Sequence, residues 1–350
     1  MSVKTGHVVF VEDKYYLLWQ LELLIESLTS RSGIKECDIV VLYTDPSYHH
    51  KQVKWGQTPY LQGLMKVHDT VNFYPVQNWG RKNWYYRFND NNSWVPKQYP
   101  GINKWLSLCE AANAGWLDKF EEIVLLEQDL WFSGDFPKLP PGNCVTANWL
   151  CDRYGAFEVT DKDDDMNTSG FDLDDIMKLC KVPSKNRKLW TSGAIVFKFV
   201  TSQLKQAKFL NAIVNYNQLL MTLGELALPQ GARHETDMVA PSLAMAHCGM
   251  HCKTIDSLQW RSDVWTWNNK PPENVVVHYG WDFKAYPHLG SSFSKFDYND
   301  KTPWDDPARL EDEYNSVKFD WIKKMYDDIF KLKEKIIERN CDRAVYVPVI

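Results

Sequence analysis

Nothing in this chain is long and apolar enough to cross a membrane, for it has no run of about 18 apolar residues. The polar stretch from Met1 to Gly6 leads straight into an apolar segment, without the hydrophobic core of a secretory signal. An excess of positive charge is missing too. Forty Lys and Arg stand against forty-five Asp and Glu, a net charge of -5, so no basic face for nucleic acid is expected. The eight Cys, at 37, 109, 144, 151, 180, 248, 252 and 341, are scattered and read as reduced thiols rather than a disulfide framework. These absences lead us to expect a cytoplasmic protein. A Gly-rich phosphate loop of the Walker type and a nucleophile elbow are absent as well. So are internal repeats and flexible linkers.

Aromatic residues, by contrast, are plentiful. Sixteen Trp and seventeen Tyr exceed what a core of 350 residues needs. Flat rings with polar edges stack well on sugar faces, although bulky side chains filling a large core account for the same composition. A chain of this length has enough surface to bury a sizeable core.

The apolar pattern alternates between strand and helix. His7 to Val11 has the look of a buried strand. Tyr15, Leu18, Leu21, Leu24, Ile25 and Leu28 then recur at helical spacing, with Gly33 placed to stop the helix. Asp38 to Thr44 is a second apolar run, and strand, helix, strand in about forty residues is a βαβ unit with a parallel sheet. Residues 72–100, with Trp79, Trp84, Tyr85, Tyr86, Trp94 and Tyr99 among polar neighbours, suit a long surface loop. A helix is expected from Ile102 to Asp118 and a strand from Glu122 to Leu126. Residues 152–187 read as an acidic loop or insertion. Lys188 to Lys198 reads as a strand, Thr201 to Gly224 and His234 to His247 as helices, Lys253 to Ile255 and Asn274 to Tyr279 as strands. Pro307 to Arg339 carries one long helical pattern.

The strand Glu122 to Leu126 ends in Glu127-Gln128-Asp129. In open α/β sheets ligands gather at the carboxyl ends of strands, so two carboxylates one residue apart can face a divalent cation there. A hard ion such as Mn²⁺ or Mg²⁺ takes few protein oxygens and fills its shell with phosphate oxygens. Two solvated carboxylates capping a turn explain the same spacing. Asp163-Asp164-Asp165 and Asp172-Leu173-Asp174 share that spacing without a preceding apolar strand, and read as solvated loop charge. Met166 stands where a calcium loop built on Asp161, Asp163 and Asp165 needs glycine. His247, Cys248, His251 and Cys252 resemble zinc ligands but lack a second ligand pair at a recognisable distance.

Taken in order, these features resemble GT-A fold glycosyltransferases, and more closely the plant hydroxyproline O-arabinosyltransferase and peptidyl-serine galactosyltransferase group. The likeness lies in four stretches across residues 7–285. They are His7 to Val11 with Trp19 and Gln20 behind it; Asn103-Lys104-Trp105 leading to Leu126-Glu127-Gln128-Asp129; Thr191-Ser192-Gly193-Ala194-Ile195-Val196; and Val277-His278-Tyr279-Gly280. The family writes its acidic motif Glu-Pro-Asp, so Gln128 is a departure at the middle position. The plant proteins are anchored in the Golgi membrane. An enzyme of this kind without an anchor also looks like the glycosyltransferases with which large algal viruses decorate capsid glycans.

The resemblance implies a mostly parallel, Rossmann-like sheet flanked by helices. Residues 1–305 are then one GT-A catalytic domain, and 306–350 a helical extension packed on it. It implies a UDP-sugar or similar donor, a glycan or glycoprotein acceptor, and Mn²⁺ or Mg²⁺ held by Glu127, Asp129 and His278. Val11, Glu12, Thr44, Glu127, Ser192, Trp281 and Lys284 are expected toward the nucleotide sugar, Lys284 on the diphosphate as in retaining enzymes. Glu235 and Asp237 are the expected catalytic carboxylates, in a region that faces sugar and acceptor. As acidic residues opening a helix they also stabilise its dipole, whatever else they do. A carbohydrate-binding protein without catalysis is the alternative that the aromatic content leaves open, and it would need neither nucleotide nor metal.

Overall fold

The structure, a computed structural model of the chain, describes residues 3–44, 58–81, 83–88, 93–98, 100–146, 177–189, 196–226, 236–255, 276–278, 293–298 and 302–338. Eleven strands are described. They are β1 (Thr5–Glu12), β2 (Ile39–Thr44), β3 (Asn72–Pro75), β4 (Asn83–Phe88), β5 (Trp94–Gln98), β6 (Glu122–Leu126), β7 (Leu130–Phe132), β8 (Cys144–Thr146), β9 (Phe197–Val200), β10 (Lys253–Ile255) and β11 (Val276–His278). Seven form one sheet in the order β10-β8-β9-β6-β1-β2-β3. β1 runs parallel to β6, β2 to β3 and β10 to β8, while β9 is antiparallel to both β6 and β8. This is a mixed, mostly parallel sheet with helices, the α/β class expected from the sequence.

The longer helices among the described residues are α1 (Tyr15–Ser30), α2 (Pro59–Val67), α3 (Ile102–Asn113), α4 (Ala207–Leu226), α5 (Thr236–Cys248), α6 (Pro307–Ser316) and α7 (Asp320–Glu338). α1 buries Leu18, Trp19, Leu21, Leu24, Ile25 and Leu28 completely. It stops where Gly33 takes a left-handed φ of 66° and Ile34 N–H turns back to the Leu28 carbonyl. α2 opens on Thr58, whose hydroxyl accepts from Leu61 N–H at 3.2 Å, with Pro59 at the first helical position.

The chain divides into two compact units. One comprises Met1–Phe10, Val76–Leu126 and Leu139–Ser257, the other Val11–Pro75, Glu127–Lys138 and Leu258–Ile350. In the first, Trp105 of α3 meets Phe197 edge-on at 4.8 Å, and Lys198 and Glu122 form a buried ion pair at 2.5 Å across β9 and β6. Glu122 also accepts from Gly142 N–H at 2.7 Å, so the buried charge is well partnered. In the second unit the wholly buried carboxylate of Asp328, on α7, takes Arg31 from the end of α1 with both oxygens, at 2.5 and 2.7 Å. Trp131 Nε1 of β7 donates to the same Asp328 at 2.9 Å.

Several segments differ from the sequence expectation. Residues 72–100 are not one loop. They hold β3, a 3-10 turn at Trp79–Arg81, and the hairpin of β4 and β5, paired from Tyr85↔Lys97 to Phe88↔Trp94 with a register shift between Asn83 and Tyr85. The aromatic and β-branched residues read there as loop decoration are strand formers, and Pro96 is tolerated because a two-stranded ribbon is all edge. α3 ends at Asn113 rather than Asp118, where Gly115 turns left-handed at φ 79°. Lys188 to Lys198 is not one strand, since a 3-10 turn covers Ser184–Leu189 and β9 begins at Phe197. The helix expected from Thr201 breaks after Leu204 and restarts at Ala207. The pattern from Pro307 to Arg339 is two helices, because Val317 is extended (ψ 132°) and turns α7 back on α6. Tyr326 then donates to Glu313 at 3.0 Å. Most of 152–187 lies outside the described residues.

Asp328 fastens α1, β7 and α7 together, so Asp328→Ala should remove about 3 kcal/mol of stability, the usual cost of stripping a buried ion pair of one partner. Urea unfolding of the variant checks this, and an unchanged midpoint would show that the cluster is energetically neutral.

Candidate metal centre

β6 leaves the sheet at Leu126, which pairs with Val9, so the acidic motif emerges beside the end of β1. From β1 the sheet continues outward through β2 and β3 on one side, and through β6 on the other. That reversal of direction is where open α/β sheets leave a crevice at the strands' carboxyl ends. After Asp129 the chain forms β7, and β11 pairs with it antiparallel, setting His278 opposite Leu130. β11 is therefore not a member of the main sheet, yet its register carries His278 to within one residue of Asp129.

Ligand atoms of Glu127, Asp129 and His278 all lie within 4.8 Å of one another, and no other group of three such residues is found among the described residues. His278 Nε2 is 3.3 Å from Asp129 Oδ2 and 3.5 Å from Glu127 Oε2. A fourth group closes the cluster. Lys295, in the 3-10 turn Lys295–Tyr298, places Nζ 2.5 Å from Asp129 Oδ2.

Asp129 is 3% exposed. Burial works to raise its pKa, but Lys295 and His278 outweigh burial and hold the carboxyl far below the usual carboxylate range. Burial likewise disfavours the charged forms of His278 and Lys295, and Asp129 reverses that for both, leaving each pKa above its ordinary value. The cluster is thus a set of charges sustained by one another. It is also incomplete as a hydrogen-bonded network. Asp129 Oδ1 and His278 Nδ1 are buried and make no hydrogen bond. An ionised carboxylate oxygen in that condition is costly unless a cation is its partner. One imidazole and two carboxylates, with room left in the shell, form a donor set that suits Mn²⁺ or Mg²⁺. The residues fit a divalent cation.

Of the other residues singled out in the sequence, Val11 and Glu12 lie at the carboxyl end of β1 and Thr44 at that of β2, all three buried. Asp13 N–H donates to the Thr44 carbonyl at 2.8 Å, tying the two ends together, and Lys14 pairs with Glu12. Asp237 lies in the first turn of α5, and its side chain is outside the described residues. Glu235, Ser192, Trp281 and Lys284 lie outside them altogether, as does the acidic run 163–165. The residue missed from the sequence is Lys295. Its signal would have been a lysine in an aromatic setting, Phe293 to Tyr298, but nothing in that spacing points back to residue 129.

The zinc-like group of His247, Cys248, His251 and Cys252 does not gather. His247 Nδ1 instead meets Tyr216 Oη at 2.5 Å, and His251 is exposed. The six cysteines among the described residues are free thiols, and burial pushes Cys109 and Cys180 up to about 12, far from reactive.

No protein-family model matches this chain, and no curated protein matches it significantly. Among solved structures it is similar to the apo form of WbbM, a bifunctional glycosyltransferase, at 14% identity and a TM-score of 0.45. The match covers 97% of this chain and 52% of that one, so the chain spans about half the length of WbbM. The narrower likeness to the plant group, and to algal-virus enzymes, remains with the motifs that suggested it. No described helix is long and apolar enough to cross a membrane.

Loss of a hydrogen bond behind a metal ligand commonly costs 10–100-fold in affinity, so loss of a ligand should cost at least about tenfold. Mn²⁺ titration of His278→Ala, followed by electron paramagnetic resonance of the free ion, should show that weakening. Wild-type affinity in the variant would remove His278 from the ligand set.

Proposed function

We propose that this chain is a metal-dependent glycosyltransferase that moves a sugar from a nucleotide-diphosphate donor, a UDP-sugar by preference, to a hydroxyl of a glycan or protein. The observation that carries the reading is the buried, unpartnered Asp129 Oδ1, grouped with Glu127 and His278 at the sheet's point of order reversal. Such a centre suits a ligand that brings its own negative oxygens, as a diphosphate does.

In this reading Glu127, Asp129 and His278 would hold Mn²⁺ or Mg²⁺, which would supply Lewis acidity toward the departing diphosphate. The chain's own part is to orient and neutralise. Asp129 stays ionised because Lys295 and His278 face it, so it accepts a cation without first losing a proton. Val11, Glu12 and Thr44 lie at the strand ends on which the nucleoside would rest, and Ser192 and Trp281 are the residues we assign to the sugar. Lys284 offers a point charge for the leaving phosphate. Glu235 or Asp237 orients the donor hydroxyls or takes the acceptor proton. Retention of configuration follows only if the lysine six residues after His278 acts as it does in retaining enzymes. The reading places the enzyme in glycan biosynthesis, with the plant-like and viral settings as its narrower forms.

A ligand that binds only the native state raises stability by about 2.7 kcal/mol at a hundred times its Kd. Thermal unfolding with a panel of nucleotide sugars should therefore show UDP-sugars raising Tm with Mn²⁺, and less after chelation. A shift with free glycans but with no nucleotide sugar would replace the enzyme by a carbohydrate-binding protein.

A further inference from the structure

The proposed metal centre already holds one cation of its own. Lys295 is 9% exposed, and its Nζ sits 2.5 Å from the same carboxylate whose other oxygen is without a hydrogen bond. Its backbone is fastened on both sides. Trp19 Nε1 donates to the Tyr298 carbonyl at 3.2 Å, Arg309 pairs with Asp297, and the rings of Phe293 and Tyr298 pack on Trp19. Arg309 is in turn held by Glu313 at 2.9 Å, which also receives Tyr326. The segment that carries the ammonium is therefore built into the fold.

A divalent ion held by Asp129 would share its carboxylate with that ammonium. The two positive charges lie close together in a place with little water to screen them, and they repel. The opposing attraction from Glu127 and Asp129 is already partly used by Lys295. A cation by itself is thus held weakly. A diphosphate changes the balance, since its oxygens spread negative charge across both the ion and the ammonium. Phosphate meets lysine as a point charge without demanding a fixed geometry.

We infer that Lys295 makes cation binding conditional on the diphosphate, so that the centre loads metal and nucleotide together rather than metal first. Coupling of this kind is reciprocal, and the nucleotide gains from the metal the factor that the metal gains from the nucleotide. The inference rests on the glycosyltransferase reading and adds to it how the centre is filled. Its sign is distinctive. Removing a residue that merely supports the site weakens every ligand, whereas removing Lys295 strengthens one and weakens the other.

The test is Mn²⁺ titration of the full chain by electron paramagnetic resonance, with and without saturating UDP, for wild type, Lys295→Met and Lys295→Gln. Circular dichroism establishes that each variant is folded. In wild type, UDP should tighten Mn²⁺ by about tenfold or more. In both neutral variants Mn²⁺ alone should bind about tenfold more tightly than in wild type, and the gain from UDP should fall to a few-fold. Lys295→Arg keeps the charge and should keep the coupling, which decides the matter if the neutral variants do not fold. The inference is overturned by neutral variants that bind Mn²⁺ alone no better than wild type while UDP still tightens it, or by loss of coupling in Lys295→Arg. If wild type binds no Mn²⁺ even with UDP, the metal centre itself falls.

Discussion

A carboxylate that is 3% exposed and fully ionised governs this part of the fold. Taking such a charge out of water costs several kcal/mol after relaxation, and only close partners of opposite charge offset it. Lys295 is such a partner, and the imidazole of His278 faces the same carboxylate; the two reach it from chain segments 166 and 149 residues further on. The chain must therefore return twice to one strand end. β11 does so by pairing with β7, and the turn at Lys295–Tyr298 does so through contacts with α1 and α6. Even then one oxygen of Asp129 is left without a hydrogen bond. A structure that sets an ammonium and an imidazole against one carboxylate, and still leaves a lone pair buried, has the form of a site for a further cation.

The C-terminal helices serve that constraint. Arg309 on α6 fixes Asp297, two residues beyond Lys295, while Asp328 on α7 fixes Trp131, two residues beyond Asp129. Tyr326 and Glu313 join the two helices to each other. The face of α7 carrying Ile322, Met325, Tyr326, Ile329 and Leu332 is wholly buried or nearly so, as its helical spacing requires. These helices belong to the same compact unit as Glu127, Asp129, His278 and Lys295. Polar pairs at such positions add little net stability against an apolar alternative, but they determine which residues face each other.

Much of this was legible in the sequence because it depends on short-range pattern. β1, β2 and β6 are runs of apolar residues, the signature of strands buried on both faces, and the boundaries of β6 coincide with those expected. Glu127 and Asp129 could be singled out because a strand end gives two alternate carboxylates a common outlook, while the acidic runs at 163–165 and 172–174 lack such a strand. Local chemistry misled where it was ambiguous. Trp84 to Tyr86 and Trp94 look like surface ornament among Asn and Lys, yet form a hairpin. The pattern from Pro307 to Arg339 keeps helical phase through Val317, and periodicity does not register a single extended residue. What could not be read was any partnership made by long-range return of the chain. Lys295 and Asp129, or Arg31 and Asp328, are 166 and 297 residues apart, and no spacing rule connects them.

The central claim is that Asp129, Glu127 and His278 form a divalent-cation site completed by a nucleoside diphosphate. Crystals grown with MnCl₂ and UDP, measured at the manganese absorption edge, address it without reference to activity. The account predicts one strong anomalous peak within bonding distance of Asp129 and His278, with phosphate oxygens in the remaining positions. A manganese peak elsewhere in the molecule, with Lys295 still closing an ion-free Asp129 in the presence of UDP, would contradict it.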